Sequence, residues 1–272
     1  MDEKRYDTPL GPIRYWTGGR PEAGGRTLVF LPGLTADHRL FDAQLRHFEG
    51  RFRVLVWDAP GHGASRPFSL TFTLRDLARW LYEILDRERV GAPVLVGQSM
   101  GGYVGQALMA QFPGRLKGFI AIDSAPLRRS GVTGPELWML KRMEAVYRWY
   151  PWKLLLKQGS EGCAVSPQGR SMMRGMMAGY DHRYYARLAG HGFRILAEAM
   201  EANLLERIDC PALLICGDRD QAGLTRRYNR AWHAEAGIPL VWIRNAGHNS
   251  NADQPEQVNQ AMENFLSSLP PE

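Results

Sequence analysis

Gly97-Gln98-Ser99-Met100-Gly101-Gly102 sets one serine among small residues, directly after the apolar run Val94-Leu95-Val96 and before the helix-compatible stretch Tyr103–Gln111. A chain that turns this sharply from strand to helix holds its central residue in a strained backbone conformation, and only small neighbours allow the bend without collision. The Ser99 hydroxyl then projects outward at a helix N-terminus. Free amide groups, that of Met100 first, face any negative charge growing on a bound carbonyl oxygen there. This is the equipment of acyl transfer, with Ser99 as nucleophile.

A serine hydroxyl is a weak nucleophile at neutral pH and needs a base to take its proton. Of the seven histidines, His248 is the expected base, because Asn245-Ala246-Gly247-His248-Asn249-Ser250 follows the last apolar run and precedes a helix. His62, in Pro60-Gly61-His62-Gly63, reads as a structural turn residue. His38, His47, His182, His191 and His233 read as ordinary surface or satisfied side chains. The base in turn needs a carboxylate to fix its tautomer and stabilise its charged form. Asp220, just after Leu213-Leu214-Ile215-Cys216, is preferred, with Asp218 and Asp123 as alternatives. A second oxyanion donor is expected from the Leu34 N–H, where Phe30-Leu31-Pro32-Gly33-Leu34 ends an earlier apolar run and Gly33 lets the chain come close. Such a set calls for no metal and no organic cofactor.

These residues meet only if folding brings them to one edge. Short Val, Leu and Ile runs at Thr27–Leu31, Arg53–Trp57, Pro93–Val96, Gly118–Ile122, Ala212–Cys216 and Leu240–Ile243 alternate with amphipathic stretches, which predicts an α/β fold with a mostly parallel sheet. Parallel strands open their C-terminal ends onto one side, so Ser99, Asp220 and His248 are expected together there. Tyr6–Thr8 and Ile13–Trp16 flank Pro9-Leu10-Gly11-Pro12 and predict an antiparallel N-terminal hairpin. Leu74, Leu77, Ala78, Leu81, Ile84 and Leu85 form one helical face, with Thr73 and Asp76 as a capping box. Val258, Ala261, Met262, Phe265, Leu266 and Leu269 form another, with Asp253 and Glu256 expected to supply its N-terminal cap. Strand-like runs vanish between about Ala125 and Leu205, where Met, Trp, Tyr and Gly accumulate. Residues 126–205 are therefore expected to form a helical lid inserted into a core of 1–125 and 206–272, with Trp138, Met139 and Tyr147 as candidate pocket residues.

Taken together, these segments resemble the α/β-hydrolase superfamily, in the lid-bearing branch of small esterases, enol-lactonases and carbon–carbon bond hydrolases. Leu31-Pro32-Gly33-Leu34 is similar to the family's oxyanion loop, with Leu31-Pro32 where His-Gly usually begins. Asp58-Ala59-Pro60-Gly61-His62-Gly63-Ala64-Ser65 resembles its Asp-x-Pro-Gly-His-Gly-x-Ser turn. Gly97–Gly102 resembles the nucleophile elbow, Gly217-Asp218-Arg219-Asp220 the acid segment, and Gly247-His248 the catalytic histidine. A serine where dehalogenases and epoxide hydrolases carry aspartate disfavours those two activities. The resemblance implies a serine hydrolase acting on an ester or lactone of a small, largely apolar acid. A carbon–carbon bond hydrolase, an acyltransferase and a non-catalytic ligand receptor on the same fold are the alternatives.

Composition excludes other classes. The chain has 272 residues, of which 44% are hydrophobic and 23% charged, as in ordinary globular proteins. Its net charge of +6 is spread without long like-charge runs, so no nucleic-acid partner is implied and Arg128, Arg129, Arg170 and Arg174 read as solvated surface. Cys163, Cys210 and Cys216 match no zinc or redox spacing and suit a reducing compartment. The charged start Met-Asp-Glu-Lys-Arg lacks a secretory apolar stretch, and no run approaches the ~18 apolar residues of a membrane span. A cytoplasmic location is expected.

Overall fold

Two-face burial sets the architecture. In the computed structural model, which describes residues 1–20, 25–204 and 207–270, successive side chains of each inner strand point to opposite sides, as the pleat requires. Eight strands make one sheet in the order β1-β2-β4-β3-β5-β6-β7-β8. They are β1 (Asp2–Thr8), β2 (Gly11–Gly18), β3 (Thr27–Leu31), β4 (Arg53–Trp57), β5 (Val94–Gln98), β6 (Gly118–Ile122), β7 (Ala212–Gly217) and β8 (Leu240–Ile243). β1 and β2 form the antiparallel hairpin, β2 pairs antiparallel with β4, and the other neighbours are parallel.

Leu28, Phe30, Val54, Val56, Val94, Val96, Ile120 and Ile122 face one layer, formed by α1 (Asp42–Phe48) and α11 (Pro255–Ser268). Val29, Leu31, Leu55, Trp57, Leu95 and Phe119 face the other, formed mainly by α2 (Leu74–Arg87) and α3 (Met100–Gln111). The α2 face is as the spacing predicts, with Leu74, Leu77, Ala78, Leu81, Ile84 and Leu85 buried and the Thr73–Asp76 capping box formed. Each such leucine or isoleucine stabilises the fold by about 1.5–3 kcal/mol.

Between β6 and β7 the chain runs through α4 (Gly134–Leu140), α5 (Met143–Trp149), α6 (Trp152–Cys163), α7 (Pro167–Ala178) and α8 (His182–Glu201), with no strand among the described residues of that stretch. Met173, Met176, Met177, Tyr180, Tyr185 and Leu188 give these helices a core of their own, against Ala36 and Leu40. The boundary expected at residues 205 and 206 lies outside the described residues. α9 (Thr225–Ala236) and the short α10 (Ser250–Asp253) complete the chain. No helix among the described residues is long and apolar enough to cross a membrane.

One expectation fails. Asp253 does not cap α11; Gln254 stands at that position and offers no side-chain bond. The Asp253 carboxylate instead reaches back into the site.

Candidate active site

The turn from β5 to α3 carries Ser99 at φ 48°, ψ −114°, a region L-residues avoid. Strain of this kind costs about 1–3 kcal/mol, less than burial of Val94, Leu95 and Val96 contributes, so the strand holds the bend. The turn has no room for side chains beside it. A Cβ on Gly97 would lie 2.4 Å from the Gly102 nitrogen, and one on Gly101 would lie 1.9 Å from the Leu31 oxygen.

Ser99 Oγ lies 2.9 Å from His248 Nε2, and His248 Nδ1 lies 2.9 Å from Asp220 Oδ2. A carboxylate can only accept, so Nδ1 carries the hydrogen and the Nε2 lone pair faces the serine hydroxyl. Asp220 is buried, and its other oxygen accepts from the Ala222 amide at 2.7 Å. Neither alternative acid bonds to the imidazole among the described residues, although Asp123 lies beside Asp220. Asp218 accepts only a long 3.4 Å bond from the Ala246 amide, while Asp123 accepts from the Gly217 and Ser250 amides at 2.7 and 2.9 Å.

Burial favours the neutral form of His248. The charge and hydrogen bond of Asp220, with the charge of Asp123 behind them, outweigh it and hold the imidazole above its ordinary pKa. Asp123 is itself pushed up to about 7, by burial first and then by the Asp220 charge. His62 is fully enclosed, bonded to the Pro60 carbonyl, and burial lowers its pKa, which fits a structural turn residue.

Leu34 and Met100, the expected oxyanion donors, line one cavity with Ser99. A Cβ on Gly33 would lie 3.1 Å from Ser99 Cβ, which measures how closely that loop approaches. Neither amide donates to another group among the described residues. Above them is a cavity of about 520 Å³ lined by Ser99, His248, Met173, Met177, Tyr185 and Phe193, among others. Its size suits a small organic ligand. Met139 and Tyr147 line it as expected. Trp138 does not: it is 54% exposed on the outside of α4, with the Arg142 guanidinium over its ring.

A sequence model of the alpha/beta hydrolase family matches residues 28–261. The chain belongs to that family. It is 25% identical over 258 residues to (E)-2-((N-methylformamido)methylene)succinate hydrolase from Acinetobacter baylyi, covering 90% of this chain and 92% of that protein. It is 25% identical over 264 residues to 3-oxoadipate enol-lactonase 2 of the same organism, covering 92% and 91%. Among solved structures, a thermophilic esterase from Thermogutta terrifontis has the same fold, with a TM-score of 0.81 at 23% identity over 99% of both chains.

In this alpha/beta hydrolase the histidine loop is fixed residue by residue, through partners that sequence reading missed. The Gly247 amide donates to Asp253 at 2.8 Å, the His248 carbonyl accepts from Gln98 Nε2 at 2.8 Å, the Asn249 amide donates to the Cys163 carbonyl at 2.7 Å, and the Ser250 amide donates to Asp123. Such a loop holds the imidazole in position before any ligand arrives. Asp253 also accepts from the Val165 and Ser166 amides and the Ser166 hydroxyl at 2.7–2.8 Å, so one carboxylate joins the α6–α7 junction to the histidine loop. Asp253→Asn turns an amide group toward donors and is expected to lower stability by about 3 kcal/mol in urea titration. It is also expected to reduce kcat about tenfold, through loss of His248 positioning.

Two clusters, Asp37-His38-Asp58 and Asp123-Cys216-Asp220, bring ligand-type atoms close together. In both, the carboxylate oxygens already serve protein donors: Arg39 on Asp37, His38 and the Ala64 amide on Asp58, and the backbone amides named above on Asp123.

Proposed function

We propose that this alpha/beta hydrolase is a serine hydrolase cleaving an ester or lactone of a small, largely apolar acid through an acyl-enzyme. The observation that carries this reading is the continuous relay from Ser99 Oγ through the His248 imidazole to Asp220, opening onto the apolar cavity. His248 takes the serine proton as Oγ attacks the carbonyl carbon, and the Leu34 and Met100 amides stabilise the resulting oxyanion. Collapse of that intermediate breaks the bond to the leaving oxygen, which receives the proton from His248. A water molecule then gives up a proton to His248 and attacks the acyl-enzyme, and the acid leaves as Ser99 regains its proton.

Residues 126–205 act in this reading as the lid over the cavity, on a core of 1–125 and 206–272. The relatives support the reaction type: one is named a hydrolase and another an enol-lactonase. Incubation with a fluorophosphonate followed by peptide mass mapping tests the reading. Modification of Ser99, lost in His248→Ala, is the expected result. Labelling elsewhere, or undiminished labelling in His248→Ala, would overturn it.

A further inference from the structure

The chain carries 34 lysines and arginines, yet none of them lines the catalytic cavity among the described residues. The wall is methionine, leucine, tyrosine and alanine for the most part, and apart from His248 the only charged side chain on it among the described residues is Glu136. A carboxylate entering such a space sheds part of its water and gains no cation in return, which disfavours it against a neutral group of the same length.

Glu136 is only partly buried, and its carboxylate is bonded within the protein. Its Oε2 accepts from the Thr133 amide at 2.6 Å and the Thr133 hydroxyl at 2.7 Å, and its Oε1 accepts from the Tyr228 hydroxyl at 3.2 Å. The Thr133 bonds hold its pKa below the usual carboxylate range, so it is negative at neutral pH. Arg227 is close enough for its charge to be felt at Glu136 but is not part of the cavity wall. Tyr228, Leu224 and Thr225 line the same side of the cavity from α9 and the residue before it, so the fixed negative charge sits where α4 meets α9.

We propose that the site accepts acyl groups without a carboxylate and rejects those that carry one, with Glu136, fixed by Thr133 and Tyr228, as the specificity-determining residue. This rests on the serine-hydrolase reading above and narrows its substrate to a neutral ester or lactone. The wall supplies apolar contact along the acyl chain, and selection against dicarboxylic substrates comes from an unpaired charge meeting a like one.

The test compares p-nitrophenyl hexanoate with the mono-p-nitrophenyl ester of adipic acid, which has the same acyl length and ends in a carboxylate. The neutral ester is expected to have the higher kcat/KM by about a hundredfold, the combined effect of an apolar wall without a cation and a like charge beside it. Glu136→Gln, which keeps a capping-box residue on Thr133, is expected to narrow that ratio about threefold, the size of a solvent-screened like-charge repulsion. Met139→Arg, which puts a cation into a wall position that is also half exposed, is expected to narrow it as well. Equal turnover of the two esters, preference for the acidic one, or no turnover of the neutral ester overturns this proposal alone if fluorophosphonate still labels Ser99. A ratio unchanged in Glu136→Gln removes Glu136 from it. Failure to label Ser99 overturns the hydrolase reading instead.

Discussion

Ser99→Ala is expected to reduce kcat for ester hydrolysis by about 10⁶-fold, the loss that follows when the nucleophile of a cooperating set is removed. The fold should survive it. Alanine at φ 48° is no more strained than serine, and the hydroxyl's side-chain partner is His248 alone. Ser99→Gly separates the two effects further. It should be as inactive, yet relief of about 1–3 kcal/mol of backbone strain, set against glycine's larger loss of freedom on folding, leaves it about 1 kcal/mol more stable. Urea titration of the two variants beside a burst-free activity assay measures both quantities. A Ser99→Ala protein that retained a tenth of the activity would remove this residue from the chemistry.

Asp220→Asn carries the second large effect, a fall in kcat of about 10⁴-fold, because an asparagine can hold the imidazole in the wrong tautomer. The pH profile gives it a sign as well as a size. With Asp220 in place the imidazole keeps its proton to higher pH than a free histidine does. Since the base must be neutral, the acid limb of kcat/KM should fall off with a midpoint above the ordinary value of 6.5. Removing the Asp220 charge leaves burial as the stronger influence, so the residual activity of Asp220→Asn should persist to lower pH. A limb that moved upward, or stayed where it was, would contradict the assignment of Asp220 as the partner of His248.

The fold was legible because apolar runs of two-face strands are hard to mistake and because parallel strands send their C-terminal ends to one side. That rule alone brings Ser99, Asp220 and His248 to a common edge. β5 ends two residues later than expected, at Gln98. The apolar run stops at Val96, but the backbones of Gly97 and Gln98 also pair with Ala121 and Ile122 of β6. What stayed hidden is the layer that holds the histidine loop. Asp253, Asp123 and Gln98 bind backbone amides and carbonyls contributed by distant segments, and a backbone group has no sequence signature. Asp253 therefore read as an ordinary helix cap, its most common local use. Trp138 and Met139 show a second limit. Consecutive residues of a helix differ by about 100° in direction, so the composition of α4 shows that it is apolar while only packing decides which of the two faces inward.

The fastening of the histidine loop to Cys163, Val165 and Ser166 has a mechanical consequence. The five-helix layer is riveted to the sheet at its α6–α7 corner, beside the imidazole. Its α4–α5 corner is held by other partners: α5 packs on α8 at Gly190, α4 buries Leu137 and bonds to Tyr228 through Glu136, and Trp149 is 85% exposed. A shift of α4 and α5 would leave the bonds that hold the histidine loop unbroken, because none of those named above comes from these two helices.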